Sequence, residues 1–146
     1  DQSFDAAISL CQGAFGLGGP ADDADDPQLL QPDLAVLGGI ARALRPGGRF
    51  AVSAFSAYFQ VANLEQSDTF DAASGVNHER TEIRSEFDES NEVDLWTTCY
   101  TPRELRLLFE RAELVVDAIH SAETGTYRPL DPATTTPEFL VLGHRP

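Results

Sequence analysis

The stretch Arg42-Ala43-Leu44-Arg45-Pro46-Gly47-Gly48-Arg49-Phe50 constrains the fold more than any other in these 146 residues. Ahead of it, Leu30, Leu34, Leu37, Ile40, Ala41 and Leu44 recur at helical spacing, which predicts a helix that starts between Pro27 and Pro32 and runs to Leu44. Pro46 cannot continue that helix, and Gly47-Gly48 supplies a turn. Phe50-Ala51-Val52-Ser53-Ala54-Phe55 then predicts a strand beginning at Arg49 or Phe50. Gly38 and Gly39 each cost ~1 kcal/mol against alanine inside a helix, so their expected use is close approach of the helix to a sheet. Only one strand, Phe4 to Leu10, precedes all this, and its nearly continuous apolar run suits a strand covered on both faces. The stretch reads as the middle of an α/β domain, although it lies near the start of the numbering.

The remainder fits that class. Tyr58 to Leu64 predicts a short helix. Val76 to Phe87 and Val93 to Tyr100 alternate in polarity around Asp88-Glu89-Ser90-Asn91, which predicts an antiparallel hairpin inserted over about 70–100. On its second strand Val93, Leu95, Thr97 and Cys99 share one face, and Asp94, Trp96, Thr98 and Tyr100 the other. Thr101-Pro102-Arg103-Glu104 carries the cap, first-turn proline and acidic partner of a capping box, and Leu105, Leu108, Phe109 and Ala112 supply the buried stripe of the helix that follows. Leu114 to Ile119 and Phe139 to Gly143 predict two last strands, joined by a loop containing Gly125, Pro129, Pro132 and Pro137. Strands alternating with helices predict a mostly parallel sheet, in which the final pair can be antiparallel neighbours.

Charge narrows the partners. The net charge is -14 and every basic residue is arginine. A field of that sign repels phosphates, which argues against a nucleic-acid partner. No apolar run reaches the length of a membrane span, and the start lacks the basic-then-apolar order of a signal peptide. The absence of methionine and the opening Asp1 point to a fragment or trimmed chain. Cys11 and Cys99 lie in or beside apolar strand patterns and are expected to be buried thiols of a cytoplasmic protein. Asp22, Asp23, Asp25 and Asp26 lack the alternate spacing and mid-loop glycine of a calcium loop. The histidines have no ligand spacing on a helix, so no metal is expected. Gly13-Ala14-Phe15-Gly16-Leu17-Gly18-Gly19 is not followed at once by a helix start, which argues against a phosphate cradle.

Three elements together resemble class I S-adenosylmethionine-dependent methyltransferases. Phe4-Asp5-Ala6-Ala7-Ile8-Ser9-Leu10 is similar to that family's fourth strand. Ile40 to Phe50 resembles the next helix, turn and fifth strand. Tyr100 to Leu108 with Arg111-Ala112-Glu113-Leu114 resembles the last helix and sixth strand, with glutamate where the family usually has glycine. The resemblance covers nearly the whole chain. It implies a Rossmann-like methyltransferase fold retaining the strand block 4-5-7-6, so that residues 1–146 form the carboxyl-terminal half of the domain without the main cofactor loop. It also implies S-adenosylmethionine as cofactor, bordered by Leu10, Cys11 and Gln12 after the first strand. On the acceptor side it implies Gly13, Phe15, Arg80, Trp96 and Tyr100, with Tyr127-Arg128 as a further candidate and His78 as the one candidate base. His120 and His144 are expected in solvent at strand ends. The acceptor implied is a small molecule, and the isolated chain is expected to be inactive. Two alternatives stay open: an assembly element that self-associates or pairs with the missing half through the edge of its first strand, or another doubly wound enzyme such as a reductase.

Overall fold

The computed structural model describes residues 2–11, 14–19, 29–84, 90–126 and 128–146. In chain order they form β1 (Phe4–Ser9), α1 (Gln31–Ala43), β2 (Leu44–Ser56), α2 (Ala57–Ala62), β3 (Thr69–Asp71), β4 (Val76–Arg84), β5 (Ser90–Tyr100), α3 (Pro102–Arg111), β6 (Val115–Ala122) and β7 (Glu138–His144). One seven-stranded sheet runs β3-β4-β5-β2-β7-β6, with β1 paired to β2. The expected block 4-5-7-6 is β1-β2-β7-β6.

β7 occupies one edge of β2 from Arg49 to Phe55. On the other edge β1 pairs with Leu44 and with Arg49 to Val52, and β5 with Phe55 and Ser56. Those two contacts are parallel, whereas β3–β4, β4–β5, β2–β7 and β6–β7 are antiparallel. The sheet is therefore mostly antiparallel by pairing, against the sequence-based expectation of a mostly parallel one. The inserted hairpin gained the short β3, and β7 enters between β2 and β6 with opposite sense to both.

The strand after α1 begins at Leu44, earlier than predicted. Leu44 pairs with Phe4, and Arg45 to Gly48 bulge out before pairing resumes at Arg49. The Gly47 amide donates to the Arg145 carbonyl and the Arg145 amide to the Gly48 carbonyl, at 2.8 and 2.9 Å. Gly47 has φ +79°, which glycine adopts without steric cost.

The hydrophobic core cluster lies on one side of the sheet, under α1 and α3. Phe50, Val52 and Ala54 of β2, Phe139 and Val141 of β7 and Ile119 of β6 pack under Leu37 of α1 and Leu105, Leu108 and Phe109 of α3. Phe50 and Phe109 stack at 5.1 Å. Gly143 is required there, because a Cβ would run into the Phe50 ring and the Val115 carbonyl. Gly38 and Gly39 do not serve close approach to the sheet. A Cβ at Gly38 would meet only the Arg42 guanidinium, 3.2 Å away.

β1 departs most from expectation. Paired along one edge and packed on one face, it leaves Phe4 60%, Ile8 76% and Leu10 44% exposed. Cys11, expected to be buried, is exposed where the chain leaves the sheet with φ +51°; Cys99 is buried as expected.

α3 forms as predicted. The Thr101 hydroxyl accepts from the Glu104 amide, and the Glu104 carboxylate accepts from the Thr101 amide. At its far end the Leu114 amide donates to Phe109 and the Glu113 amide to Glu110, with Glu113 at φ +60°. This is a left-handed helix stop of the kind glycine favours, at the position where the sequence departs from the family's glycine.

Candidate functional site

Ligands of open α/β sheets sit beyond the carboxyl ends of the parallel strands. Here that end is formed by the residues after β1, the β2–α2 junction and the base of the hairpin. The parts are joined directly. The Thr98 amide of β5 donates to the Gly16 carbonyl at 2.8 Å, and Gly16, at φ +84°, would bring a Cβ within 3.1 Å of the Thr98 carbonyl and 3.3 Å of the Tyr100 ring. The loop after β1 is thus fastened to the hairpin across 82 residues of chain.

The candidates separate into three groups. Leu10 and Cys11 are exposed at the end of β1, one step beyond Ser9, whose buried hydroxyl has no partner among the described residues. Gln12, Gly13 and Tyr127 lie outside the described residues, and Arg128 is exposed. Phe15 and Tyr100 are inside the core, 1% and 0% exposed. They stack with centroids 4.7 Å apart, and Phe109 meets Phe15 edge-on. Both rings are spent on packing and present no surface to an acceptor, contrary to their expected role.

His78, Arg80 and Trp96 come together on one face of the hairpin. His78 pairs across the strands with Trp96 and Arg80 with Asp94. The His78 ring lies on the Trp96 ring at 4.8 Å, planes 15° apart. His78 Nε2 is 2.8 Å from Asp94 Oδ1, and Arg80 Nε approaches the same oxygen at 3.6 Å. The His78 hydrogen bond, helped by Arg80, holds the Asp94 carboxyl below its ordinary range. An ionised Asp94 accepts the Nε2 proton and leaves Nδ1 as the basic nitrogen. His144 has a comparable partner, Asp117, at 3.0 Å from Nδ1, and is only partly exposed rather than freely solvated.

The opposite face of β4 and α2 border a groove of about 500 Å³, lined by Phe59, Asn63, Glu65, Asp68, Glu79 and Thr81 among others. Burial raises Glu79, and the negative charges of Asp68 and Glu65 add to it. A third polar feature is Asp33 in the first turn of α1, 4% exposed. Burial pushes its carboxyl up, opposed by the Tyr100 phenol and the Gly16 amide that face it. Among the described residues the phenol oxygen meets no partner within hydrogen-bond criteria. Among the described residues no three His, Cys, Asp or Glu side chains converge as metal ligands. The sequence-based candidates omit Asp94 and Asp33. Hairpin register would have pointed to Asp94, opposite Arg80; no local pattern marks Asp33 as buried.

The arrangement matches solved structures over almost the entire chain. The CcbJ methyltransferase from Streptomyces caelestis superposes with a TM-score of 0.70 at 14% identity, over 99% of this chain and 62% of its own. An S-adenosylmethionine-dependent methyltransferase from Clostridium acetobutylicum gives 0.63 at 14% identity, over 99% and 59%. The chain has a class I methyltransferase-like fold. A third such structure, the glycopeptide N-methyltransferase MtfA in complex with S-adenosylmethionine, gives 0.53 at 15% identity, over 100% of this chain and 55% of its own. The methyltransferase-like chain described here thus spans about three fifths of the length of the proteins it matches. No protein-family model and no curated protein matches it. Among the described residues no helix is long and apolar enough to cross a membrane.

Proposed function

We propose that this chain is the carboxyl-terminal half of a cytoplasmic S-adenosylmethionine-dependent methyltransferase acting on a small-molecule acceptor. The observation that carries the reading is the block β1-β2-β7-β6, superposed over 99% of the chain on a methyltransferase. The charge of -14 favours an acceptor other than nucleic acid.

S-adenosylmethionine supplies an electrophilic methyl group. Its transfer is an in-line displacement that needs alignment and, for a protonated acceptor, a base. The end of β1 suits one border of the cofactor, with Leu10 and Cys11 exposed beside the Ser9 hydroxyl, which has no partner among the described residues; Gln12 and Gly13 would continue that border. Among the described residues no strand passes through a glycine-rich turn directly into a helix, so the fit covers one side of the cofactor. His78 is the base in this reading, its Nδ1 freed by the Asp94 hydrogen bond. Trp96 offers the acceptor an aromatic surface, and Arg80 a cation.

Calorimetric titration with S-adenosylhomocysteine tests the reading at both levels. In this reading the 146-residue chain alone should show no micromolar binding, because its described residues offer one border of the cofactor. Micromolar binding to the isolated chain would refute its inactivity as a half, and no binding to the longer natural protein would refute methyl transfer. In an active protein His78→Ala should lower kcat by about 10²–10⁴. Self-association through β1 has in its favour the exposure of that strand; a clean monomer by light scattering at high concentration removes it.

A further inference from the structure

The two faces of β4 carry different chemistry. His78 and Arg80 alternate with Asn77, Glu79 and Thr81, which point to the other side of the hairpin. Glu79 and Thr81 line the groove of about 500 Å³ that also borders α2 and the 65–68 turn. Asn77 is the next position in their row. It is 0% exposed, and neither its amide nitrogen nor its amide oxygen has a partner among the described residues. Buried polar atoms are nearly always satisfied, so an amide left over at the inner end of a groove marks where a polar ligand atom fits. The groove is also negative. Glu65, Asp68 and Glu79 all line it. Burial, with the charges of Asp68 and Glu65, raises the Glu79 carboxyl. Among the described residues no cation pairs with these three carboxylates. Arg80 lines the groove too, but its Nε is turned to Asp94 at 3.6 Å.

We infer that this groove binds a small organic cation, an aliphatic amine in its ammonium form, held between Glu79 and the carboxylates of Glu65 and Asp68, with the Asn77 amide oxygen accepting one of its N–H bonds. Three features choose an amine over a metal ion. The groove has room for a molecule of several heavy atoms rather than a bare ion. Its carboxylates do not converge as metal ligands among the described residues. Phe59 gives it an aromatic wall, which attracts organic cations and packs against their apolar body. The site is separate from the His78 and Trp96 side of the hairpin and does not depend on methyl transfer.

Nuclear magnetic resonance of the isotope-labelled 146-residue chain tests this with n-butylammonium chloride as probe, n-butanol as its neutral counterpart and magnesium chloride as the metal. The ammonium should shift the Asn77 side-chain amide and the Glu79 and Thr81 backbone signals saturably at about millimolar concentration, the range open to so few atoms. The alcohol and magnesium should not. Glu79→Gln should weaken binding about tenfold, the loss expected for one charge-assisted hydrogen bond. Asn77→Leu should weaken it comparably without lowering the thermal midpoint, because it removes an amide that has no partner in the fold. If that variant does not fold, Glu79→Gln decides alone. Glu92→Gln, an exposed carboxylate farther along the hairpin, should leave binding unchanged. Shifts that do not saturate overturn the inference. So does equal weakening by Glu92→Gln, which would mean attraction to the net charge alone. Equal shifts with n-butanol would make the groove merely apolar, and tighter binding of magnesium would make it a metal site; either result also overturns it. Failure of S-adenosylhomocysteine to bind any form of the protein would sink methyl transfer and leave the amine site standing.

Discussion

Phe15 lies flat against Tyr100, ring centroids 4.7 Å apart and planes 15° from parallel. The pair fastens the loop after β1 to the base of the hairpin and is sealed from water by Phe109. Phe15→Ala should therefore destabilise the protein by about 3–5 kcal/mol, the usual cost of emptying a buried aromatic site. Urea denaturation checks this, and a loss below about 1 kcal/mol would mean that the loop repacks without the ring.

Asp33 gives stability a sign with pH. Burial raises its folded-state pKa above the ordinary 3.8, so in the window above 3.8 the folded protein holds the proton more tightly than the unfolded one. The stability this contributes is fully present below 3.8 and is lost as pH rises through the raised folded value. Asp33→Asn should flatten that decline. Glu79 and Glu104 are raised in the same direction, so the measurement is the difference between parent and variant in denaturation midpoints from pH 3.5 upward. Parallel curves would exclude a contribution from Asp33.

The two ends of α3 should respond oppositely. Thr101→Ala removes the acceptor for the Glu104 amide and should cost about 1 kcal/mol. Glu113→Gly relieves a residue held at φ +60° and should add up to about 1 kcal/mol, since left-handed backbone costs roughly that much for residues with a Cβ. Thermal unfolding of both variants tests the pair; a destabilised glycine variant would show that the Glu113 side chain matters more than its backbone.

The cysteines should differ sharply in reactivity. Cys11 is exposed, whereas burial pushes the Cys99 thiol up to about 12. The thiolate is the reactive form, so a disulfide reagent at pH 8 should modify one thiol quickly in the folded protein and the second only on unfolding. Two fast equivalents would show that β5 opens readily at its junction with β2.

Local chemistry made much of this legible. The capping box at Thr101 and the inserted hairpin depend on residues close in sequence and appear where expected, and β2 follows α1 as expected but starts at Leu44 rather than at Arg49 or Phe50. The strand block implied by the family resemblance appears as well. The roles of single residues were less accessible. Phe15 and Tyr100 read as acceptor contacts because their positions fall on the right loop and hairpin, yet packing turned both inward. Asp94 became the partner of His78 through a register that couples positions 16 apart.

What the sequence determined by itself is the alternation of helix and strand, because backbone propensity, capping and periodic burial act over one or two turns. Tertiary structure alone decided which face of each strand would be covered. The same alternating aliphatic pattern runs along both faces of β2 and β7, and the sequence carries no mark distinguishing them. Only the placement of α1 and α3 on one side put Val52 and Val141 in the core and left Ile8 and Leu142 toward solvent. Burial depends on what another segment brings to the surface, and neither strand encodes that locally.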